Sequence, residues 1–140
     1  MFDSMTKSER AYFNAAKAVS ELSDHHHRLG CVVVNKHRII SSGHNSDTRC
    51  HRIQAELDMD RHGVPCPGKI HAETAALLPY LNSKGSIDGA SIYIYREHRD
   101  GSPAKARPCP SCMKLIKQCG IRRIYYTTDS GIALEKIFYN

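Results

Sequence analysis

Pro108-Cys109-Pro110-Ser111-Cys112-Met113-Lys114-Leu115-Ile116-Lys117-Gln118-Cys119-Gly120-Ile121-Arg122-Arg123-Ile124-Tyr125-Tyr126-Thr127 reads as a helix from Cys112 to Cys119, halted at Gly120, and then a strand from Arg123 to Thr127. Upstream, Ser91-Ile92-Tyr93-Ile94-Tyr95 alternates as a strand does, and Arg96 to Arg107 is a polar loop. Strand, helix, strand in that order predicts a parallel pair joined by a right-handed crossover. Further toward the N-terminus, Ala72, Ala75, Ala76, Leu77 and Leu78 predict a helix from Ile70 that Pro79 and the Asn82 to Gly85 stretch bring to an end. Cys31 to Val34 and Arg38 to Ser41, across Asn35-Lys36-His37, predict a hairpin. Thr6-Lys7-Ser8-Glu9 has the spacing of a capping box, and Tyr12, Ala15, Ala16, Val19 and Leu22 then recur at helical spacing, predicting a helix over Lys7 to Leu22.

Two segments read less clearly. Asn45 to Lys69 lacks a period and carries Gly63, Pro65, Pro67 and Gly68, with at most a helical turn or two over Ile53 to Asp60. Ile132 to Phe138 is a short amphipathic tail without a defined form. The order α-β-β-α-β-α-β predicts an α/β domain with a mixed sheet flanked by helices. Tyr93, Tyr95, Tyr125 and Tyr126 sit in strand patterns, where aromatics pack sheets.

The 140 residues, 41% apolar and 24% charged, fit one compact domain spanning 1–140. No apolar run approaches the roughly 20 residues of a membrane-spanning helix, so no membrane partner is expected. Met1 to Arg10 mixes acidic and basic residues and does not read as a secretory signal, which predicts an intracellular, cytoplasmic protein. In that compartment six cysteines read as metal ligands, catalytic thiols or buried thiols rather than a disulfide framework. The net charge of +6 is moderate. Arg96, Arg99, Lys105 and Arg107 cluster ahead of Cys109 and are candidate phosphate contacts, against the plainer reading of a solvated basic face.

The chemistry concentrates in His71-Ala72-Glu73 and Pro108-Cys109-Pro110-Ser111-Cys112, both at predicted helix starts. Cysteines three apart at a helix N-terminus can direct both sulfurs to one point, and the helix dipole favours their thiolates. His71 completes three protein ligands for Zn2+, leaving the fourth position open, as in catalytic rather than structural zinc sites. Glu73 is then placed to move protons between water and substrate without being a ligand. Cys50, His51, His62 and Cys66 offer donors for a second, structural zinc that would staple the long loop, with Cys31 or His98 as further ligands. The run His25-His26-His27 reads as solvated or loop-ordering.

His-x-Glu with Pro-Cys-x-x-Cys is a general zinc deaminase signature. At these residues the chain resembles the cytidine and deoxycytidylate deaminase superfamily, over about Leu29 to Tyr126. Gly30 to Val34 resembles its first strand and Gly43-His44-Asn45 its substrate-side loop, while Pro108 to Ile121 is similar to the deoxycytidylate branch. The resemblance implies a three-layer α/β/α sandwich with a mixed, about five-stranded sheet. It implies a hydrolytic, zinc-dependent deaminase acting on a small nucleotide, dCMP foremost, and a homo-oligomer. It also implies that the Asn45 amide meets the sugar and the Ala72 N–H a ring carbonyl. His71, where nucleoside cytidine deaminases resemble a cysteine-ligated version, looks like branches acting on nucleotides, tRNA adenosine or guanine. Ser46-Asp47-Thr48 departs from the glycine and nearby proline that follow Gly-x-Asn in the deoxycytidylate family. An adenine or guanine deaminase, acting on free base or RNA, stands as the alternative, followed by a non-catalytic, zinc-stabilised nucleic-acid-binding module.

Overall fold

A computed structural model describes residues 5–65, 67–82 and 86–139; Cys66 and residues 83–85 of the Asn82 to Gly85 stretch lie outside the described residues. Helix α1 (Lys7–Ser20) starts at the capping box, where Thr6 Oγ1 accepts the Glu9 N–H at 3.1 Å. It stops short of Leu22, which is exposed. Strands β1 (Leu29–Asn35) and β2 (Arg38–His44) form the expected antiparallel hairpin.

The loop expected over Asn45 to Lys69 contains a full helix, α2 (Arg52–His62). Its buried side chains are Gln54 and Leu57, so its inner face is half polar and carries little apolar period. Helix α3 (Ala72–Leu77) is shorter than predicted, because His71 is its N-cap and a 3₁₀ turn (Leu78–Tyr80) takes over at Pro79. Strand β3 (Ser91–Arg96), helix α4 (Pro110–Gln118) and strand β4 (Arg123–Thr128) build the predicted crossover. Gly120, at φ 82°, takes the left-handed conformation that ends α4. The C-terminal tail is a fifth strand, β5 (Gly131–Lys136), antiparallel to β4. Its Ala133, with Ile137 just past the strand, packs against one apolar layer, and the opposite-facing Ile132 packs against the other.

The sheet order is β2-β1-β3-β4-β5, with β3 and β4 the parallel pair and the other neighbours antiparallel. Alternation along the strands sorts the core. Val32, Val34, Tyr93 and Tyr95 pack with Phe13 and Ala16 of α1 on one face. Cys31, Val33, Ile92, Ile94 and Ile124 pack with residues of α2, α3 and α4 on the other. The result is the three-layer α/β/α sandwich with a mixed five-stranded sheet. Three of the four strand tyrosines join the apolar layer with α1, and Tyr93 and Tyr125 stack at 4.3 Å with planes 2° apart. Among the described residues no helix is long and apolar enough to cross a membrane.

One close approach sets the site. A Cβ at Gly43 would collide with the backbone of Ala72 and Ala76, so only glycine lets β2 lie directly under α3. The N-terminus of α3 is thereby pressed onto the sheet beside that of α4.

Candidate active site

Both helix starts lack a side-chain cap, because their N-cap residues are His71 and Cys109, whose side chains turn to each other instead. Pro110 at the first position of α4 fixes φ and gives up no needed N–H. Cys112 follows one turn later and is fully buried. His71 Nδ1 lies 3.3 Å from Cys112 Sγ and 3.7 Å from Cys109 Sγ. One donor atom from each of the three residues falls within 4.8 Å of the others. One imidazole nitrogen and two sulfurs are the donor set zinc favours, and three protein ligands leave a coordination position for water or substrate. The residues present therefore fit the ion, and His71 would offer it Nδ1, the nitrogen that faces both sulfurs.

The electrostatics agree with a thiolate-rich metal pocket. A hydrogen bond from the Cys112 thiol, reinforced by His71 and the Cys112 N–H, holds Cys109 down to about 3. Cys112 in turn is pushed well up by its hydrogen bond to the Cys109 thiolate and by burial, so the pair shares one proton, which a bound cation would displace. His71 is raised, chiefly by its hydrogen bond with Cys109. Glu73, only 5% exposed, is raised by burial, with the charge on His71 opposing. Such a carboxyl can carry protons closer to neutrality than a solvated one.

Sequence reasoning missed the support behind His71. Gln54 of α2, completely buried, accepts both the His71 N–H at 3.1 Å and the Thr74 hydroxyl at 2.6 Å through Oε1, and donates to Asp58 at 3.0 Å. It lies in the segment without a period, and its only sequence signal is a glutamine between Ile53 and Leu57.

A cavity of about 780 Å³ opens over the cluster, with His71, Ala72, Glu73 and Cys109 in its wall. Asn45 lines it too, and its amide is largely engaged. Oδ1 accepts from Ser23 Oγ (2.6 Å) and the Leu29 N–H (2.9 Å), and Nδ2 donates to the His27 carbonyl (2.7 Å). One Nδ2 proton remains for a ligand. Ala72 begins α3, so its N–H has no partner within the helix.

The candidate phosphate contacts divide. Arg96 and Lys105 line the cavity, joined by Arg61 and Lys69. Arg107 also lines it, but its guanidinium is held by Glu135 at 2.6 and 3.2 Å. Arg99 lines a neighbouring hollow instead. The tetrad suggested for a second zinc does not assemble. His51 caps the start of α2 through Nδ1 and His62 is its last residue, which puts about 16 Å of helix between them. Cys50 is exposed, and Cys66 lies outside the described residues.

The family model for the cytidine and deoxycytidylate deaminase zinc-binding region matches residues 5–128. ComE operon protein 2 of Bacillus subtilis (strain 168) is 31% identical over 105 residues, 72% of this chain and 48% of that protein. The chain thus spans about half the length of that relative. The deoxycytidylate deaminase of Enterobacteria phage T4 is 36% identical over 58 residues, 41% of this chain and 25% of that protein. Among solved structures, the dCMP deaminase of cyanophage S-TIM5 in complex with dCMP and dUMP aligns with a TM-score of 0.59 at 29% identity, covering 84% of this chain and 79% of that one. Because the matched segment runs from ahead of α1 to the last residue of β4 and takes in both helix starts, the chain belongs to the cytidine and deoxycytidylate deaminase family.

Proposed function

We propose that the chain is a zinc-dependent hydrolytic deaminase of a cytosine nucleotide, with dCMP the substrate and dUMP and ammonia the products. The observation that carries this reading is Glu73: a buried carboxyl with a raised pKa, two residues from a zinc-competent His71–Cys109–Cys112 cluster, in the wall of a nucleotide-sized cavity. His71, Cys109 and Cys112 would hold zinc, which when bound would supply the Lewis acidity that makes water a competent nucleophile near neutral pH. Glu73 takes one proton from the attacking water and delivers it to the ring nitrogen beside the amino-bearing carbon as the water oxygen bonds to that carbon. It then carries the remaining proton of that oxygen to the amine, so that the C–N bond breaks, ammonia leaves and the carbon keeps a carbonyl. The free Nδ2 proton of Asn45 meets the sugar, and the Ala72 N–H meets the ring carbonyl. Lys69, Lys105, Arg61 and Arg96 line the same cavity and supply the positive field that a phosphate would seek. The likeness to a dCMP-binding phage enzyme supports the same substrate class.

The test is ammonia release by zinc-loaded protein against dCMP, CMP, deoxycytidine, adenosine and guanine. Turnover of dCMP with little on deoxycytidine is the expected result. Turnover of a purine alone would keep the chemistry and discard the cytosine nucleotide, and zinc binding with no turnover on any substrate would favour a binding module.

A further inference from the structure

The loop after α1 and the loop after β2 meet at the rim of the cavity, and they bring together side chains the catalytic site does not use. His25 Nε2 lies 3.4 Å from Asp47 Oδ1. The His26 ring stacks on that of His25, centroids 4.5 Å apart. One donor atom each from His25, His26 and Asp47 falls within 4.8 Å of the other two. His27, by contrast, is committed, its Nδ1 accepting from Arg96 at 3.1 Å.

The two loops are fastened before any ion arrives. Asp24 accepts the Asp47 N–H at 2.8 Å and the Thr48 hydroxyl at 2.6 Å. The buried Ser23 hydroxyl bonds Asn45 and accepts the His25 N–H at 3.1 Å. The departure Ser46-Asp47-Thr48 is what supplies both the Asp47 carboxylate and the Thr48 bond to Asp24. Metal ligands held in this way by outer hydrogen bonds need little rearrangement to bind.

We propose that His25, His26 and Asp47 form a second metal site, separate from His71, Cys109 and Cys112, which takes one divalent transition ion of the zinc, nickel or cobalt class and clasps the two loops together. Two imidazoles and a carboxylate suit ions of intermediate softness. The adjoining hollow of about 610 Å³ is lined by Glu21, Asp24 and Glu97 as well as by Asp47, so its acidic groups offset the nearby arginines and do not repel a cation. Binding displaces two exposed contacts. Lys69 Nζ, 3.9 Å from Asp47 Oδ1, moves to solvent. His25 now receives the His27 N–H on Nδ1 at 2.9 Å; with the ion on Nε2, the ring proton moves to Nδ1 and water takes the His27 N–H.

The experiment is equilibrium dialysis of the zinc-loaded protein against nickel, with metals counted by elemental analysis. Wild type takes up one ion per chain beyond the zinc at His71, Cys109 and Cys112, and its thermal midpoint rises. The double variant His25→Ala, His26→Ala keeps its zinc, takes up no nickel and shows no rise. Asp47→Asn, which leaves the histidine loop intact, weakens nickel binding by at least about tenfold, no less than the loss of an outer-shell partner. No additional ion on wild type, or equal uptake by wild type and the double variant, would overturn the site.

Discussion

At the scale of single residues, Glu73 shows chemistry set against stability. Its carboxyl is buried and its pKa raised from the ordinary 4.5, chiefly by burial. A carboxyl raised on folding costs nothing below its unfolded pKa, and the cost grows as pH climbs from 4.5 toward the folded value. Glu73→Gln removes the charge but keeps the shape. In chelated protein the variant therefore gains on wild type in thermal midpoint as pH rises, with no gain at acid pH. Calorimetry at several pH values checks this; a gain that does not depend on pH would show that burial of the charge is not the cost. That His71, Cys109 and Cys112 come together was legible in the sequence, because His71-x-Glu73 and Cys109-x-x-Cys112 each set chemistry-bearing side chains at a fixed short offset at a helix start. The state of Asn45 was not: its amide is mostly engaged by Ser23, Leu29 and His27, contacts between segments that spacing alone does not reveal.

At the scale of elements, the site depends on α2 holding α3 in place. Gln54 caps the His71 N–H and the Thr74 hydroxyl with one oxygen. Gln54→Leu leaves the buried Thr74 hydroxyl and the part-buried His71 N–H without this partner, which costs about 1–3 kcal/mol for each group left unmet. We expect that loss in urea unfolding of zinc-loaded protein, together with faster zinc loss to a chelator, since His71 loses its anchor. Stability unchanged in the variant would mean that α3 holds itself. Strands β1, β3 and β4 were readable as short β-branched and aromatic runs, and helices α1 and α4 because their buried faces are apolar and periodic. Helix α2 was read as a turn or two because its inward face carries Gln54, and β5 was read as a tail because its residues are mostly half-exposed. In both, a tertiary partner rather than local pattern decides the conformation.

At the scale of the whole molecule, the mixed sheet sets two helix starts side by side and leaves a cavity whose basic rim comes from separate segments: Arg61, Lys69, Arg96 and Lys105. Sequence clustering pointed to Arg96, Arg99, Lys105 and Arg107, but the fold turns Arg99 into the neighbouring hollow, ties Arg107 to Glu135 and brings in Lys69 and Arg61. Proximity in the chain was a poor guide to proximity in space for long, exposed side chains. Lys69→Ala raises the KM for dCMP by roughly two- to fivefold, the scale of a partly exposed charge pair, and the effect shrinks as salt is added. Steady-state kinetics at low and high ionic strength test it. An unchanged KM would place the phosphate elsewhere.

The central claim is that His71, Cys109 and Cys112 hold zinc while Glu73 moves the protons. Its most direct test is zinc content and ammonia release from dCMP, measured side by side for wild type and Glu73→Ala. The account predicts equal zinc at this site in both proteins and ammonia from wild type alone. Substantial turnover by Glu73→Ala, or zinc lost along with Glu73, would contradict it.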